Sequence, residues 1–529
     1  MKKLLLLAGM VCLLLVLGAC GSGNEGAAGS GEDAGGFPES VSIWGFNIGD
    51  GIGHDSNEEV YAWREISYRT GTDIEWVHGI GDAWEAFNLM IASGDWPDII
   101  QHHWNTVPGG SVQFYNDGVI HRLNDLIYDH MPNYLSHLNA SGGRNVLEFG
   151  DDNDMFFFAM ITDARILQNI GPMVRMEWLD AVGLDIPSTV DEITAMLRAF
   201  RDGDPNRDGN PDIMPLTGFG IKGGGPGDVS NFHMEGHIWP WGTSAYFYQV
   251  DGVVTYGPLT PEFEEGITWL NMLWEEGLID PEFFVQGRSD SDGKIMAGEA
   301  GFMTGIQASG IHNTMHTNSP EIPFTVMGIP YISLVPGGPG FVMTARFVNI
   351  VEPSAAAVIT TNAENPAAVA RFIDFIFTDE GKHITNFGQE GVTWEMVGGE
   401  PQFTEYGVEN LLAHEWARYH WGVSTSFPQR RTFDAWSPSL HPAAEEGMVN
   451  WGGNADRSRI LPTVQVAPEV AERTATIMAD VQTYVDEQFI AFVTGLRPLS
   501  DFPTFRQTLI NWNIQEVIDA RQAAFDLIR

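Results

Sequence analysis

The stretch from Val41 to Ile100 constrains the fold most. Val41-Ser42-Ile43-Trp44 reads as a strand. Asp82 to Ser93 predicts a helix: Trp84, Phe87 and Ile91 recur at helical spacing, Asp82 can cap, and Gly94 stops it. Pro97-Asp98-Ile99-Ile100 reads as a short buried strand. Strand, helix and strand in this spacing predict a parallel sheet and an α/β fold. The pattern recurs downstream. Thr189-Val190-Asp191-Glu192 has capping-box spacing ahead of the stripe Ile193, Met196, Leu197 and Phe200. Thr260-Pro261 starts a helix running to Gly277, and Asn365-Pro366 starts another ending near Gly381. Pro468 to Thr494 predicts a long helix stopped by Gly495, and Phe502 to Leu527 reads as mostly helical.

The N-terminus reads as an export address. Lys2 and Lys3 precede an apolar run from Leu4 to Val16, too short and too early for a spanning helix. Leu17-Gly18-Ala19-Cys20 resembles the bacterial lipobox, in which the Cys is lipidated and becomes the first mature residue. Residues 1–19 are then a lipoprotein signal peptide. From Gly21 to Gly36 no apolar side chain exceeds Ala, so residues 20–36 read as a lipidated Cys and a flexible tether. A Gly-rich coil of this length spans about 20–24 Å. The expected location is the extracellular face of the cell membrane, held by the lipid (palmitate) anchor.

Removing residues 1–19 leaves 510, too many for one core, so at least two domains are expected. No other apolar stretch is long enough to span a bilayer, which predicts a soluble body. The only cysteines are Cys12 and Cys20, so the exported body has neither disulfide nor cysteine metal site. The formal net charge of −43 disfavours nucleic acid and anionic membrane surfaces as partners.

Four segments resemble one family. Asn88-Leu89-Met90-Ile91-Ala92-Ser93-Gly94-Asp95-Trp96-Pro97-Asp98-Ile99-Ile100 is similar to the "ASGD-x-PDII" signature of extracellular solute-binding proteins, family 1. Glu276 to Phe283 resembles its "GLIDPEF" segment, Asp374 to Val392 its "EG…NYGxEGV" stretch, and Phe492 to Asp501 its "FITGxxPLSD" segment. The shared order carries the resemblance from near the start of the chain to near its end. It implies a two-lobed periplasmic-binding-protein-like fold. Each lobe is a central sheet flanked by helices, and a hinge with multiple crossings joins them. The expected lobes are residues 37–165 plus 340–410, and residues 166–339 plus 411–529. It also implies the substrate-binding component of an ABC importer, a monomer capturing a carbohydrate, an oligosaccharide, in the interlobe cleft and delivering it to the permease transmembrane subunits. A sensing lipoprotein partnering a membrane sensor, or a binder of peptide or another solute, remains the alternative.

Site residues follow from position. In open α/β sheets ligands sit beyond the carboxyl ends of strands. The resemblance therefore nominates Trp104 and Asn105, just after the Pro97–Ile100 strand, and Trp44 follows the first strand in the same way. Trp239 and Trp241 form an aromatic loop with Pro240 and Gly242, and Gln307 ends the expected strand Gly301 to Gln307. Arg346, Trp394, Trp436 and Trp451 are added for their Gly-rich or polar loop context. An indole stacks on the C–H face of a pyranose, although the default place for any of the 17 Trp is the core.

Asp204, Asn206, Asp208, Asn210 and Asp212, with Gly209 at the sixth position, resemble an EF-hand loop and predict a structural Ca²⁺. The twelfth position is Pro215 rather than Glu, and Ile213 stands where relatives carry an acid, so a metal-free Asp/Asn/Gly turn is the alternative. His102-His103 has poor geometry for two ligands on one ion. An enzyme is not expected. His414 and His420 are spaced six apart rather than four, no Gly-x-Ser-x-Gly elbow occurs, and no spacing singles out a glycosidase pair among the 70 acids.

Overall fold

A computed structural model describes residues 35–45, 54–80, 83–104, 107, 110–149, 153–167, 170–207, 209, 213–218, 236–306, 324–343, 350–412, 421–422, 427–440, 442–462, 464 and 466–527. Cys20, most of the tether, Asp82 and the His414–His420 segment lie outside them. Residues 1–36 separate from a body of residues 37–529.

Ten strands build two sheets in the body: β1 (Ser40–Trp44), β2 (Asp73–Val77), β3 (Ile99–His102), β4 (Phe158–Thr162), β5 (Ile170–Arg175), β6 (Met214–Leu216), β7 (Ala300–Ile306), β8 (Val326–Gly328), β9 (Val351–Ile359) and β10 (Arg430–Arg431). The first sheet has the order β10-β4-β9-β3-β1-β2. β1 lies parallel to β2 and β3, with Trp44 opposite both Val77 and Ile100. β9 runs antiparallel to β3 and β4. The expected parallel unit is therefore present. β3 starts two residues later than expected, at Ile99, because Pro97 has no N–H for the ladder. Asp98 turns inward instead, accepting from Ser42 N–H at 2.8 Å and Ser42 O–H at 2.7 Å.

The second sheet has the order β8-β5-β7-β6. Side chains alternate across it, as strand geometry requires. Val174 and Phe302 enter one core with Trp178, Phe200 and Leu270, while their neighbours Met173 and Met303 enter another with Trp239 and Trp451. Gly171 serves this second core: a Cβ there would lie 2.4 Å from the Trp451 ring, whose N–H donates to Pro172 O.

The helices follow their sequence signals closely. Ala83–Ser93 ends at Gly94 with φ 74°. The capping box at Thr189 and Glu192 is formed, and Ile193, Met196, Leu197 and Phe200 are buried. Thr260 caps Pro261–Glu275, and Pro468–Val493 is one helix. Two helices are interrupted. The Asn365 helix stops at Ile376, and Thr378 caps a new helix, Asp379–Phe387, that contains Gly381. Between Phe502–Asn511 and Ile514–Asp526 the chain breaks at Asn513, which takes φ 63°.

Among the described residues the chain leaves one sheet's elements for the other's after Thr162, after Met343 and after Arg431. Two assignments differ from the expected lobes. Gly340–Phe341 pairs with Ala455–Asp456, and Val342 and Met343 join the second sheet's core. Arg430–Arg431 pairs with β4, and Phe427 joins the first core. Short apolar segments carry no mark of which sheet receives them. Arg165 ties two crossings together. Its guanidinium meets Asp163 Oδ2 at 2.7 Å and Asp434 Oδ1 at 3.1 Å, and lies 4.5 Å from the Phe433 ring centroid.

Asp280, in the expected family segment, is fully buried at the end of β6. It accepts from Thr217 O–H at 2.7 Å, Gln286 at 2.8 Å and Lys294 Nζ at 2.9 Å. Burial raises its pKa, but these donors, Lys294 foremost, hold it below the usual carboxylate range. Lys294→Met should destabilise the protein by about 3–5 kcal/mol, because an unpaired buried charge remains. A depressed carboxylate contributes stability above its unfolded pKa of about 3.9, and loses it as pH falls through the folded value. Urea titrations between neutral and acidic pH should show the wild type losing this increment on acidification, and the variant losing less of it.

Candidate functional site

The carboxyl ends of β1, β2 and β3 carry an aromatic wall. β1 ends on Trp44 and Gly45, β2 leads to His78, and β3 leads to His102, His103 and Trp104. A Cβ at Gly45 would sit 2.7 Å from both the Trp76 ring and Gln101 Oε1, so the chain leaving β1 passes too close for any side chain. His78 holds that exit: its Nδ1 lies 2.9 Å from Gly45 O, and Asn57 N–H donates to its Nε2 at 3.2 Å. This pattern assigns the neutral Nδ1–H tautomer.

His102 sits at the centre of the wall. The Trp44 ring stacks on it at 5.8 Å and 24°. Phe87 approaches at 4.3 Å, and Trp84 meets it edge-on at 4.9 Å. Burial pushes its pKa down to about 4, so the imidazole is neutral at ordinary pH. Trp84 remains 40% exposed, whereas Trp44 is 3% exposed. Trp84 is therefore the wall's accessible indole. Trp104 is fully buried between Phe87 and Phe114, and its N–H donates to Ile100 O at 3.2 Å. It is a core residue, since its ring and its polar atom are both already engaged.

The second sheet carries a shallow concavity; its non-atom space, counted together with the open solvent at its mouth, is about 400 Å³. His237, Trp239, Trp269, Thr304, Tyr331 and Phe341 are among its lining residues. Trp269 N–H donates to Thr194 Oγ1 at 2.9 Å, which fixes its ring. His237 Nδ1 lies 3.5 Å from Thr304 Oγ1. Its Nε2 and the Trp239 N–H are buried and have no hydrogen-bond partner among the described residues. Burial lowers the His237 pKa to about 3, so this imidazole is neutral too. A neutral imidazole can donate or accept at Nε2, and an indole N–H only donates.

The other nominated residues scatter. Trp241 is half-buried and tilts against Trp269 at 5.5 Å. Trp394 is buried with Phe387 and Ala435, and spends its N–H on Gly388 O. Trp436 and Trp451 are buried in the core shared with Met173 and Met303. Asn105, Gln307 and Arg346 lie outside the described residues. The wall and pocket thus bring in Trp84, His102, His237, Trp269, Tyr331 and Phe341, which sequence reasoning did not nominate. The signal for Trp84 was its place in the first turn of a helix just after a strand.

Of the EF-hand-like loop, Asp208, Asn210 and Asp212 lie outside the described residues. Asp204 and Arg207 take φ 46° and 58°, and Gly209 takes φ 76°. Gly209 N–H donates to Asp204 Oδ2 at 3.2 Å, and Asp204 Oδ1 is buried without a partner among the described residues. No group of three acidic, His or Cys side chains that could hold a metal occurs among the described residues.

Aromatic faces combined with uncharged donors and acceptors suit a solute with apolar faces and hydroxyl edges. Residues 55–383 match the family of bacterial extracellular solute-binding proteins. The chain belongs to that family. It is 27% identical over 290 residues to the fructooligosaccharide ABC transporter substrate-binding protein FusA of Streptococcus pneumoniae serotype 4, covering 51% of each chain. It is 25% identical over 333 residues to lipoprotein LipO of Bacillus subtilis, covering 62% of each. These matches span between about half and three-fifths of the two curated relatives. The fold is similar to that of the two-lobed alginate-binding protein AlgQ2 solved without calcium ion, with TM-score 0.68, 21% identity, and coverage of 94% of this chain and 100% of that one. No described helix is long and apolar enough to cross a membrane.

Trp104→Ala should cost about 3–5 kcal/mol by cavity formation. Trp84→Ala should cost about 1 kcal/mol, since the ring is partly solvated. Urea denaturation of the two variants would check the contrast.

Proposed function

We propose that this protein is the extracellular, lipid-anchored substrate-binding component of an ABC importer, capturing an oligosaccharide between its lobes and delivering it to the permease. The carrying observation is that each sheet presents its own aromatic surface with a neutral imidazole in it, His102 in one and His237 in the other. A solute touching both surfaces binds the closed form better than the open one and so shifts the equilibrium toward closure. FusA, named for fructooligosaccharide, supports the solute class. The Leu17-to-Cys20 motif and the lipoprotein relative LipO support the anchor at Cys20. The lobes on this reading are residues 37–162 with 351–431, and residues 170–343 with 442–527.

In titration calorimetry a member of an oligosaccharide panel should bind, and Trp84→Ala should weaken it by about tenfold, equivalent to about 1.4 kcal/mol of lost stacking. Binding of peptides with no sugar response would overturn the solute class.

The Asp204–Asp212 loop binds a structural Ca²⁺ on the same reading. Asp204, Asn206, Asp208, Asn210 and Asp212 supply oxygens, the buried Asp204 Oδ1 lacks any other partner among the described residues, and Gly209 makes the turn. Such an ion staples the loop and takes no part in solute chemistry. Calcium at a hundredfold its dissociation constant should stabilise by about 2.7 kcal/mol. The Tm should therefore rise with Ca²⁺, return with EDTA, and lose its response in Asp204→Asn. An unchanged Tm under both treatments would retire the site.

A further inference from the structure

We infer that Arg165 is a positioning residue for solute capture: by holding Asp163 and Asp434 at once, it restrains how the two lobes are oriented before solute arrives. This rests on the reading of a solute captured between two lobes. It adds which side chain sets the cost of bringing them together.

Two chain segments change sheets side by side. Ile161 N–H donates to Gln429 O and Asp163 N–H to Arg431 O, both at 2.9 Å, so β4 and β10 stay paired to their ends. Just beyond, Ile166 is already buried in the second sheet's core with Met173, Met303 and Trp451. The other segment turns as abruptly. The buried amide of Asn386, on the helix Asp379–Phe387, donates to Arg430 O at 2.8 Å and accepts from Thr432 N–H at 3.0 Å. It bonds this segment as a neighbouring strand would, and keeps Thr432 with the first sheet. Phe433, the next residue, packs against the second sheet's core, and Trp436 is buried in it. Ala435 clusters with Phe387 and Trp394, so the short helix Phe433–Trp436 lies in the joint itself.

Arg165 stands where the two changes of side meet. Its Nη2 and Nε donate to Asp163 Oδ2 and Oδ1 at 2.7 and 3.1 Å, a two-pronged pair that fixes the plane of the guanidinium. Nη1 lies 3.1 Å from Asp434 Oδ1, and the Phe433 ring centroid lies 4.5 Å from the guanidinium carbon. Burial raises the Asp163 pKa, but Arg165 and the Phe433 N–H hold it below the usual carboxylate range, so the pair stays charged. Asp163 follows the last residue of β4, whereas Asp434 rides on the short helix that packs against the second core. Turning one sheet against the other here changes the span that a single planar guanidinium has to bridge. The restraint is soft: the Arg165 and Asp434 side chains are 53% and 71% exposed, which limits such a pair to about two- to fivefold in an equilibrium. Binding selects one orientation of the lobes, and a joint that already limits their range leaves less freedom to be lost.

The first test needs no solute. In residues 20–529 with Cys20→Ser, which leaves no native thiol, Glu75→Cys on β2 and Asp185→Cys carry one spin label beside each sheet. The label-to-label distance distribution should broaden in Arg165→Gln. Asp434→Asn, which removes the other side of the pair, should broaden it too and add nothing to Arg165→Gln. Equal widths in all four proteins would overturn the restraint. The second test is titration calorimetry with uncharged fructo-, malto-, xylo- and galacto-oligosaccharides. The sugar that binds should bind about two- to fivefold more weakly in Arg165→Gln, with the loss in the entropy. Arg165→Lys, which keeps the charge but not the two-pronged geometry, should fall between. Raising NaCl from about 0.01 M to about 1 M shortens the screening length from roughly 30 Å to roughly 3 Å. An uncharged sugar brings no charge of its own, so the salt effect on affinity belongs to the protein. The wild type should lose affinity relative to Arg165→Gln as salt rises. A lowered Tm in Arg165→Gln with unchanged affinity and the same salt response would make Arg165 a structural residue only. Failure of every sugar to bind would take down the oligosaccharide reading, while the distance distributions still decide the restraint.

Discussion

The separation of the described core into clusters that belong to different sheets is the constraint on which the rest depends. Each sheet carries its own core: Val41, Ile43, Ile99, Ile100 and Val358 in the first, Val174, Phe302, Met173 and Met303 in the second. Side chains packed at crystal-like density do not deform continuously. Each aromatic surface is therefore held in place by the core of its own sheet. At the crossings the contacts are of a different kind. Arg165 spans Asp163, Asp434 and the Phe433 ring while half-exposed to solvent. Exposed ion pairs are individually weak, so such a joint constrains the path without locking it.

At the first sheet the aromatic residues are graded from core to surface. Trp104, Phe87 and Phe114 form a buried base, Trp44 and His102 stack above it, and Trp84 stands at the accessible edge. The buried base holds the ring positions that the accessible ring depends on. Burial also sets the electrostatics. Both His102 and His237 are neutral because desolvation disfavours the imidazolium. Asp280 is among the buried charged side chains, and Lys294 neutralises it where β6 ends.

Much of the fold was legible in the residues. Capping pairs at Thr189 and Glu192, Pro at the first helical position after Thr260 and Asn365, and glycine stops at Gly94 and Gly277 mark helix ends by local hydrogen bonding alone. Misreadings arose where a competing local signal intervened. Thr378 capped a new helix where one helix was expected to continue, and Asn513 adopted the left-handed conformation inside an expected run. The site was less legible. Tryptophan occurs both in cores and at accessible edges, so residue type could not separate buried Trp104 from exposed Trp84. Pro97 delayed β3 by two residues, and Trp104 was left facing Phe87 and Phe114 rather than solvent.

The sequence by itself determined the α/β class, many of the helix ends and the family, because each is written in neighbouring residues or in motifs of fixed order. Only the tertiary structure decided that Trp84 is accessible where Trp44 is buried, that His237 Nε2 lacks a partner among the described residues, and that Arg430 belongs to the first sheet. Those properties depend on what residues hundreds of positions away bring alongside, and no local pattern encodes such a neighbour.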